Sequence, residues 1–539
     1  MGVHPAEILR RAVGGAQLLA GVQLASRVLT FALNVALART MSDPSALGVA
    51  AVQLYLLDTL VLTLAREGVR RTGLRVAEEG TKGHLGASRD LLNLAWWGVG
   101  AGLVLTVPFC LYFGWSVDPV ALGGVDEREY RHAVGVMGVA IVLELLSEPL
   151  FVAAQAQLEY RARSLIEGLA VFFRCVVQFL GVMAFNLNLI AFAYGYVAYA
   201  GCLLACYVVF FLRRGVDLIE LMPSDGFRIA DRNLVTLASD LSFQQVWKLL
   251  LQEGEKMVMM TFRMAATDQA IYSLVFNLGS LVVRFVFLPV EESAYATYGK
   301  LNDIAQRQGS SGKTEISLLS LVAVMTRVMS LIGMVFVTFG PSYSHLLLHL
   351  LYGNKWSNEF EAAPTLGVYC MFVGVVAVNG ITEAFVHAVG DQADVRMFNG
   401  WLFLFSAVHL GTSVALFDLG AIGLILANCI SMSLRIVVSV RFISTWQDPS
   451  NHARLGSFMS LFPRIGTLVA FFVVRQVVIA SEAHLYRQFA SWFAAAAHVA
   501  VGGACLLGLA LTSVVLLERD LVQQVSALRR VLASAPKTA

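Results

Sequence analysis

Apolar residues run along this chain in blocks of about twenty, separated by short polar turns, with no sustained alternation of apolar and polar positions. YSLVFNLGSLVVRFVFLPV (272–290) is one such block. At 1.5 Å per helical residue it can cross a hydrocarbon layer of about 30 Å. Fourteen blocks of this kind can be placed, at 14–37, 46–65, 91–113, 132–156, 164–184, 187–212, 243–263, 269–295, 317–339, 363–388, 396–417, 420–443, 459–480 and 492–516. They predict an all-α polytopic membrane protein of about 14 transmembrane helices. Composition agrees: 57% of residues are hydrophobic and 14% charged, against about 25% charged in a soluble domain.

An even number of spans puts both termini on one side. With the termini inside, the inner loops hold about 25 Lys and Arg and the outer loops about 7, so the termini are expected in the cytosol. The loop after the second span alone carries Arg66, Arg70, Arg71, Arg75, Lys82 and Arg89. The first block continues to Arg39 without a small-residue cleavage site, which reads as an uncleaved span and not a signal peptide. The longest connection, 213–242, contains LMPSDGFRIADRN and reads as a linker between six spans and eight. No loop is long enough to fold as a catalytic domain. No P-loop, G-x-S-x-G or G-x-G-x-x-G after a strand is present, so neither an enzyme nor a nucleotide-driven pump is expected, and no cofactor. A net charge of +2 asks for no nucleic acid or other acidic partner. The seven cysteines all fall inside apolar runs and read as small buried hydrophobes.

Two stretches echo each other. ARTMSDPSALGVAAVQLYLLD follows the first span, and FRMAATDQAIYSLVFNLGS follows the seventh. In each an Arg precedes an Asp, a short turn and a new span, as in a parallel transporter repeat, though two hydrophobic stretches can also match by chance. Aligning Asp43 with Asp268 sets Arg66 and Glu67 against Glu291 and Glu292.

Polar residues inside the spans fall on helical stripes. Gln23, Arg27, Thr30 and Asn34 share one face; so do Gln244, Lys248, Gln252 and Glu255; so do Asn277, Arg284 and Glu291; so do Asn379, Glu383 and His387. Arg435 lies seven residues past Asn428, and span five carries Glu167, Arg174 and Gln178. A charge at the bilayer centre costs roughly 2.5–3.5 kcal/mol on insertion scales, so these groups are expected to face a bundle interior or a wet cavity. Helix-to-helix hydrogen bonding explains one stripe; stripes on six spans fit a shared hydrophilic cavity better. Arg27, Lys248, Arg284 and Arg435, with Arg174, are candidates to hold an anionic head group. Asp58, Glu144, Glu148, Glu255 and Glu383 are candidates to balance them or carry a coupling ion. Glu292, about 100° around the helix from Glu291, reads as a snorkelling interfacial group. His345 and His349 are four apart but lack a third ligand, so no metal site is expected.

LAREGVRR (64–71), LELLSEPLFVAAQAQ (143–157), LLQEGEKMVM (250–259), YSLVFNLGSLVVRFVFLPVEESAY (272–295), VNGITEAF (378–385) and GLILANCISMSLRI (423–436) resemble the Rft-type family of eukaryotic endoplasmic-reticulum membrane proteins. The resemblance covers nearly the whole chain and is least distinct after about Ser450. It implies a branch of the multidrug/oligosaccharidyl-lipid/polysaccharide exporter superfamily, with two pseudo-symmetric six-helix bundles around a central hydrophilic cavity. On this chain the bundles would be 1–212 and 243–446, joined by the 213–242 linker, with two further helices and a cytosolic tail in 447–539. It further implies a role in N-glycosylation: moving Man5GlcNAc2-PP-dolichol to the lumenal leaflet, with that dolichyl-diphosphate oligosaccharide and membrane lipids as partners. The alternative is an accessory protein that binds or hands over the glycolipid. A membrane glycosyltransferase is a third reading, for which Asp126, Glu127 and Glu129 are the only clustered lumenal acids. In a two-bundle transporter, Arg66 and Glu67 would meet Glu291 and Glu292 as a cytosolic gate, with Arg66 and Glu291 at ion-pair distance in one conformation.

Overall fold

The computed structural model describes residues 28–41, 43–78, 89–115, 118–157, 159–223, 226, 228–229, 231–308, 318–360, 362–446, 461–488, 491–513 and 517–534. Among them every regular element is a helix. Lipid leaves a spanning segment no water to satisfy its backbone, and the helix closes every amide on its own carbonyls. Eleven of these helices are long and apolar enough to cross a bilayer. The chain is a multi-pass membrane protein. The other three expected spans fall on Val28–Thr40, Arg232–Thr261 and Gln392–Ala415, which are helical but shorter or more polar. Arg27 and Gln23 lie outside the described residues.

Helix starts are set by short acids. Asp43 caps the helix that begins at Pro44, its carboxylate accepting from Ser45 N at 2.8 Å. Asp391 and Asp394 form a reciprocal capping box on Gln392–Ala415. Asp231 accepts from Asn233 N and Leu234 N and starts Arg232–Thr261. The connection after Arg213 is therefore shorter than the 213–242 expected from composition. Leu234, Ala238 and Leu241 are buried helix positions within the stretch read as linker. What remains is strapped to the start of Arg89–Trp115: Trp96 Nε1 donates to Leu221 O, Asn93 Nδ2 to Arg228 O, and Asp231 N to Asp90.

The chain forms two compact units, Met1–Ser273 and Leu274–Ala539, with the division falling inside the 266–308 helix. In the first, Glu127–Leu146 packs against Leu189–Arg213, which in turn meets Tyr160–Phe185, and Arg232–Thr261 lies along the 44–78 helix. Gly48 makes one close approach possible: a Cβ there would come 1.9 Å from the carbonyl oxygen of Ala266. In the second unit, Ala362–Val389 is central and packs against Leu318–Tyr352, Gly420–Thr445 and the 288–308 segment. The C-terminal pair Ile465–Ser481 and Trp492–Thr512 docks on Leu318–Tyr352 through His498, whose ring stacks on Tyr343 at 4.3 Å while Tyr343 Oη donates to His498 O.

Among the π-helical turns, Thr63–Glu67 holds Arg66 and Val283–Phe287 holds Arg284. Such turns re-aim side chains and are frequent at functional sites.

Gly48→Ala drives a methyl group into a backbone carbonyl that cannot swing away. The expected loss is about 2 kcal/mol, read as a lower thermal midpoint of the detergent-solubilised protein. Gly100→Ala, with nothing within 4 Å of the added carbon, should leave the midpoint unchanged.

Candidate functional site

The quoted motifs converge on two sets of charged side chains, one inside each unit. In the first unit LAREGVRR meets LELLSEPLFVAAQAQ. The Glu127–Leu146 helix ends at Ser147, and a new helix starts at Glu148 with Pro149 in its first turn. The break leaves Glu144 and Glu148 four residues apart, facing Arg66 and Arg70, also four apart. Arg66 Nη2 donates to Glu144 Oε1 at 2.7 Å, and its Nη1 lies 3.6 Å from Glu148 Oε2. Arg70 grips Glu148 with two bonds, Nε to Oε1 at 2.6 Å and Nη2 to Oε2 at 2.7 Å. Glu148 is 0% exposed, Glu144 5% and Arg66 8%, so each charge depends on its partner. The Arg70 and Arg163 guanidinium groups both lie over the Phe151 ring, at 3.8 and 4.2 Å. Gln155 Nε2 donates to Arg70 O.

Two turns before Arg66 on the 44–78 helix stands Asp58, whose Oδ1 is enclosed and accepts no hydrogen bond. It shares its electrostatic surroundings with Glu144, Arg66 and Arg174. Arg174 lies 5.2 Å from the Tyr196 ring, and its Nε is also enclosed without a partner. Glu144 and Glu148 pair with Arg66 and Arg70, and Asp58 and Arg174 stand nearby without an ion pair of their own among the described residues. The sequence alone did not single out Arg70, although the matched i, i+4 spacings of the two motifs were legible.

LLQEGEKMVM joins the same unit at Tyr55. Tyr55 Oη donates to Glu253 Oε1 at 3.1 Å, Lys256 Nζ sits 2.5 Å from Glu253 Oε2, and Nζ lies 4.3 Å over the Tyr55 ring. Sequence reasoning chose Glu255 on this helix and missed Glu253 and Lys256. Their i, i+3 spacing was the available signal. The expected stripe of Gln244, Lys248 and Gln252 instead forms an exposed face, and Lys248 has no partner among the described residues.

In the second unit Glu383 is the hub. It accepts from Asn379 Nδ2 at 2.9 Å and lies 3.6 Å from Arg435 Nη1 and 3.7 Å from His387 Nε2. Glu291 faces the same helix one turn before Glu383. A Cβ at Gly380 would lie 2.6 Å from Glu291 Oε2, so the glycine of VNGITEAF makes room for the first glutamate of LPVEESAY. Glu292 is exposed, as a snorkelling residue would be. Arg284 is exposed within its π turn, flanked by exposed Phe285 and Val286, and has no partner among the described residues.

One expectation meets a different arrangement. Arg66 was to be a gate charge available to Glu291. Its guanidinium is instead buried on Glu144 and Glu148, because the break at Ser147 brings both carboxylates to it; Glu67 is its more exposed neighbour, 4.0 Å from Arg70. His345 and His349 are both engaged by neighbours, His345 by Tyr486 Oη and Asn358 Oδ1 and His349 by Ser357 Oγ.

Solved structures share this many-helix fold. An inward-facing multidrug resistance transporter of the MATE family and MOP superfamily superposes with a TM-score of 0.57 at 12% identity, over 77% of this chain and 94% of that one. The lipid II flippase MurJ in an inward closed conformation gives 0.53 at 12% identity, over 94% and 99%. Residues 11–528 match the family described as Rft protein, and the chain belongs to that family. It is 33% identical over 527 residues to the Man(5)GlcNAc(2)-PP-dolichol translocation protein RFT1 of Xenopus tropicalis, covering 93% of each chain. The Dictyostelium discoideum protein of the same name is 31% identical, over 81% of this chain and 86% of its own. That of Saccharomyces cerevisiae is 28% identical, over 81% and 83%.

Glu148→Gln strands Arg70 and weakens the hold on Arg66 in a dry interior. Breaking a buried pair this way should cost about 3–5 kcal/mol, seen as loss of monodisperse protein on size exclusion after mild heating. Replacing both partners, Glu148→Leu with Arg70→Met, should recover part of the loss, since neither charge is then left alone.

Proposed function

We propose that this protein carries Man5GlcNAc2-PP-dolichol across the endoplasmic-reticulum membrane by alternating access, as a transporter and not an enzyme. Fourteen spans, two six-helix bundles with two further helices, and cytosolic termini are part of this reading. The observation that carries it is Arg284: an exposed guanidinium without a partner among the described residues, in a π turn of the span that also bears Asn277 and Glu291, in a chain whose family relatives are named for translocating this glycolipid. An exposed charge at that depth needs water or an anion beside it. A diphosphate supplies the anion, and a guanidinium engages it with two parallel bonds. Lys248, exposed in Arg232–Thr261, is a second contact of the same kind. Arg435 is a third, shared with Glu383, and Arg27 a fourth. Asp58, Glu144, Glu255 and Glu383 set the charge of the route. The dolichol tail stays in lipid while the head group crosses in the polar path.

The second reading is an accessory protein that binds the glycolipid and hands it on. Both begin with diphosphate binding, so the test must measure movement. Purified protein in vesicles should make externally added glycolipid inaccessible, or internal glycolipid accessible, to a membrane-impermeant probe. Arg284→Ala should slow this on the order of tenfold, the worth of one charge-assisted contact, and Arg284→Lys should fall between. Arg89→Lys, at a helix end, should match the wild type. Binding without movement in the wild type would move the assignment to the accessory reading.

A further inference from the structure

The first unit contains a cavity of about 230 Å³ at the end where the 44–78 helix begins. Gln53 on that helix is separated from Arg66 by thirteen residues, or about 20 Å along the axis, so the cavity lies well away from the Arg66–Glu148 cluster. Its walls are Gln53, Tyr130 and Gln269, which are 7%, 1% and 1% exposed. Gln269 Nε2 donates to Met264 O at 2.7 Å, while its Oε1 is enclosed with no partner. Neither the Gln53 amide nor the Tyr130 hydroxyl makes a hydrogen bond among the described residues. At the rim Arg263 Nη1 donates to Asp118 Oδ2 at 2.8 Å. The backbone that delivers Arg263 is left-handed, with φ 57°, at the end of Arg232–Thr261. Tyr112 and Met260 add an aromatic and an apolar surface.

This lining selects a kind of ligand. A phosphate is a poor fit, because the one cation in the wall is already neutralised by Asp118. A hydrocarbon is a poor fit too, because it would cover the Gln53 amide and the Tyr130 hydroxyl without giving either a hydrogen bond. The Gln53 amide and the Tyr130 phenol offer donors and acceptors together, which suits a neutral group with several hydroxyls, and Tyr112 offers a face for its C–H side. The volume is below the roughly 300–1,000 Å³ of drug-sized sites, so one ring enters and not a chain. We propose that this cavity binds a single pyranose. That the ring belongs to a lipid-linked glycan rests on the function proposed above; the chemistry of the cavity does not.

Saturation-transfer NMR on the full chain in nanodiscs tests the proposal, with methyl α-mannopyranoside, N-acetylglucosamine and inorganic phosphate as probes. At millimolar concentration at least one pyranose should receive saturation and phosphate should not. Gln53→Met and Tyr130→Phe should each weaken pyranose binding about fivefold, the worth of one hydrogen bond. If Gln53→Met lowers the thermal midpoint, Tyr130→Phe, which removes one oxygen, decides. Absence of pyranose binding, or equal binding in both variants, overturns the proposal and leaves a cavity that holds water only. Glycolipid movement is measured separately: a protein that binds pyranose here but moves no glycolipid keeps the pocket and loses the function, and the converse result keeps the function and loses the pocket.

Discussion

A charge inside a membrane-spanning helix must find its counter-charge before the helix can pack, and the four-residue match of Arg66 and Arg70 to Glu144 and Glu148 is where this protein meets that demand most fully. Desolvating two ions costs several kcal/mol each, repaid only by short contacts with good geometry. The geometry here comes from backbone irregularity. The π turn at Thr63–Glu67 shifts the phase of one helix, and the restart at Glu148–Pro149 shifts that of the other. Two regular helices would not place both carboxylates on both guanidinium groups so readily. The tie holds the 44–78 and 127–156 helices together, and Phe151 extends it to Arg163 on the next helix.

The second unit solves the same problem with looser contacts. Glu383 lies 3.6 Å from Arg435 and 3.7 Å from His387, against 2.6–2.7 Å for the tightest bonds in the first. Glu291 sits against Gly380 without an ion pair of its own among the described residues. Longer contacts are easier to exchange, so the second cluster is the better suited to trade partners when an anion arrives. The first cluster is buried and closely paired within its own unit. The groups that are available are the exposed ones, Lys248 and Arg284, which lie on helix faces left bare by their own units. Paired charges hold each unit together.

The membrane class, the helical spans and the family were legible in the sequence, because lipid permits only one backbone solution for an apolar run of this length and because a 3.6-residue period fixes which polar residues share a face. Partner choice was not legible. A stripe names a face but not what lies opposite it. Glu255 was selected over Glu253, two residues and about 200° away, since nothing local says that Tyr55 waits on another helix. Arg66 was read as exposed from its place in a basic loop, yet it is buried, because the glutamates that hold it come from a motif 78 residues on. The Asp231 cap was read as part of a linker, because its neighbours are polar until the first buried leucine. The cavity walled by Gln53, Tyr130 and Gln269 has no sequence signature at all: three lone polar residues on three helices become a site only when packing leaves their side chains facing one empty space. Composition and period decide what each helix is; which side chains meet is decided by the irregular turns and by the close approach at glycines such as Gly48 and Gly380, where absent side chains let particular groups come within reach.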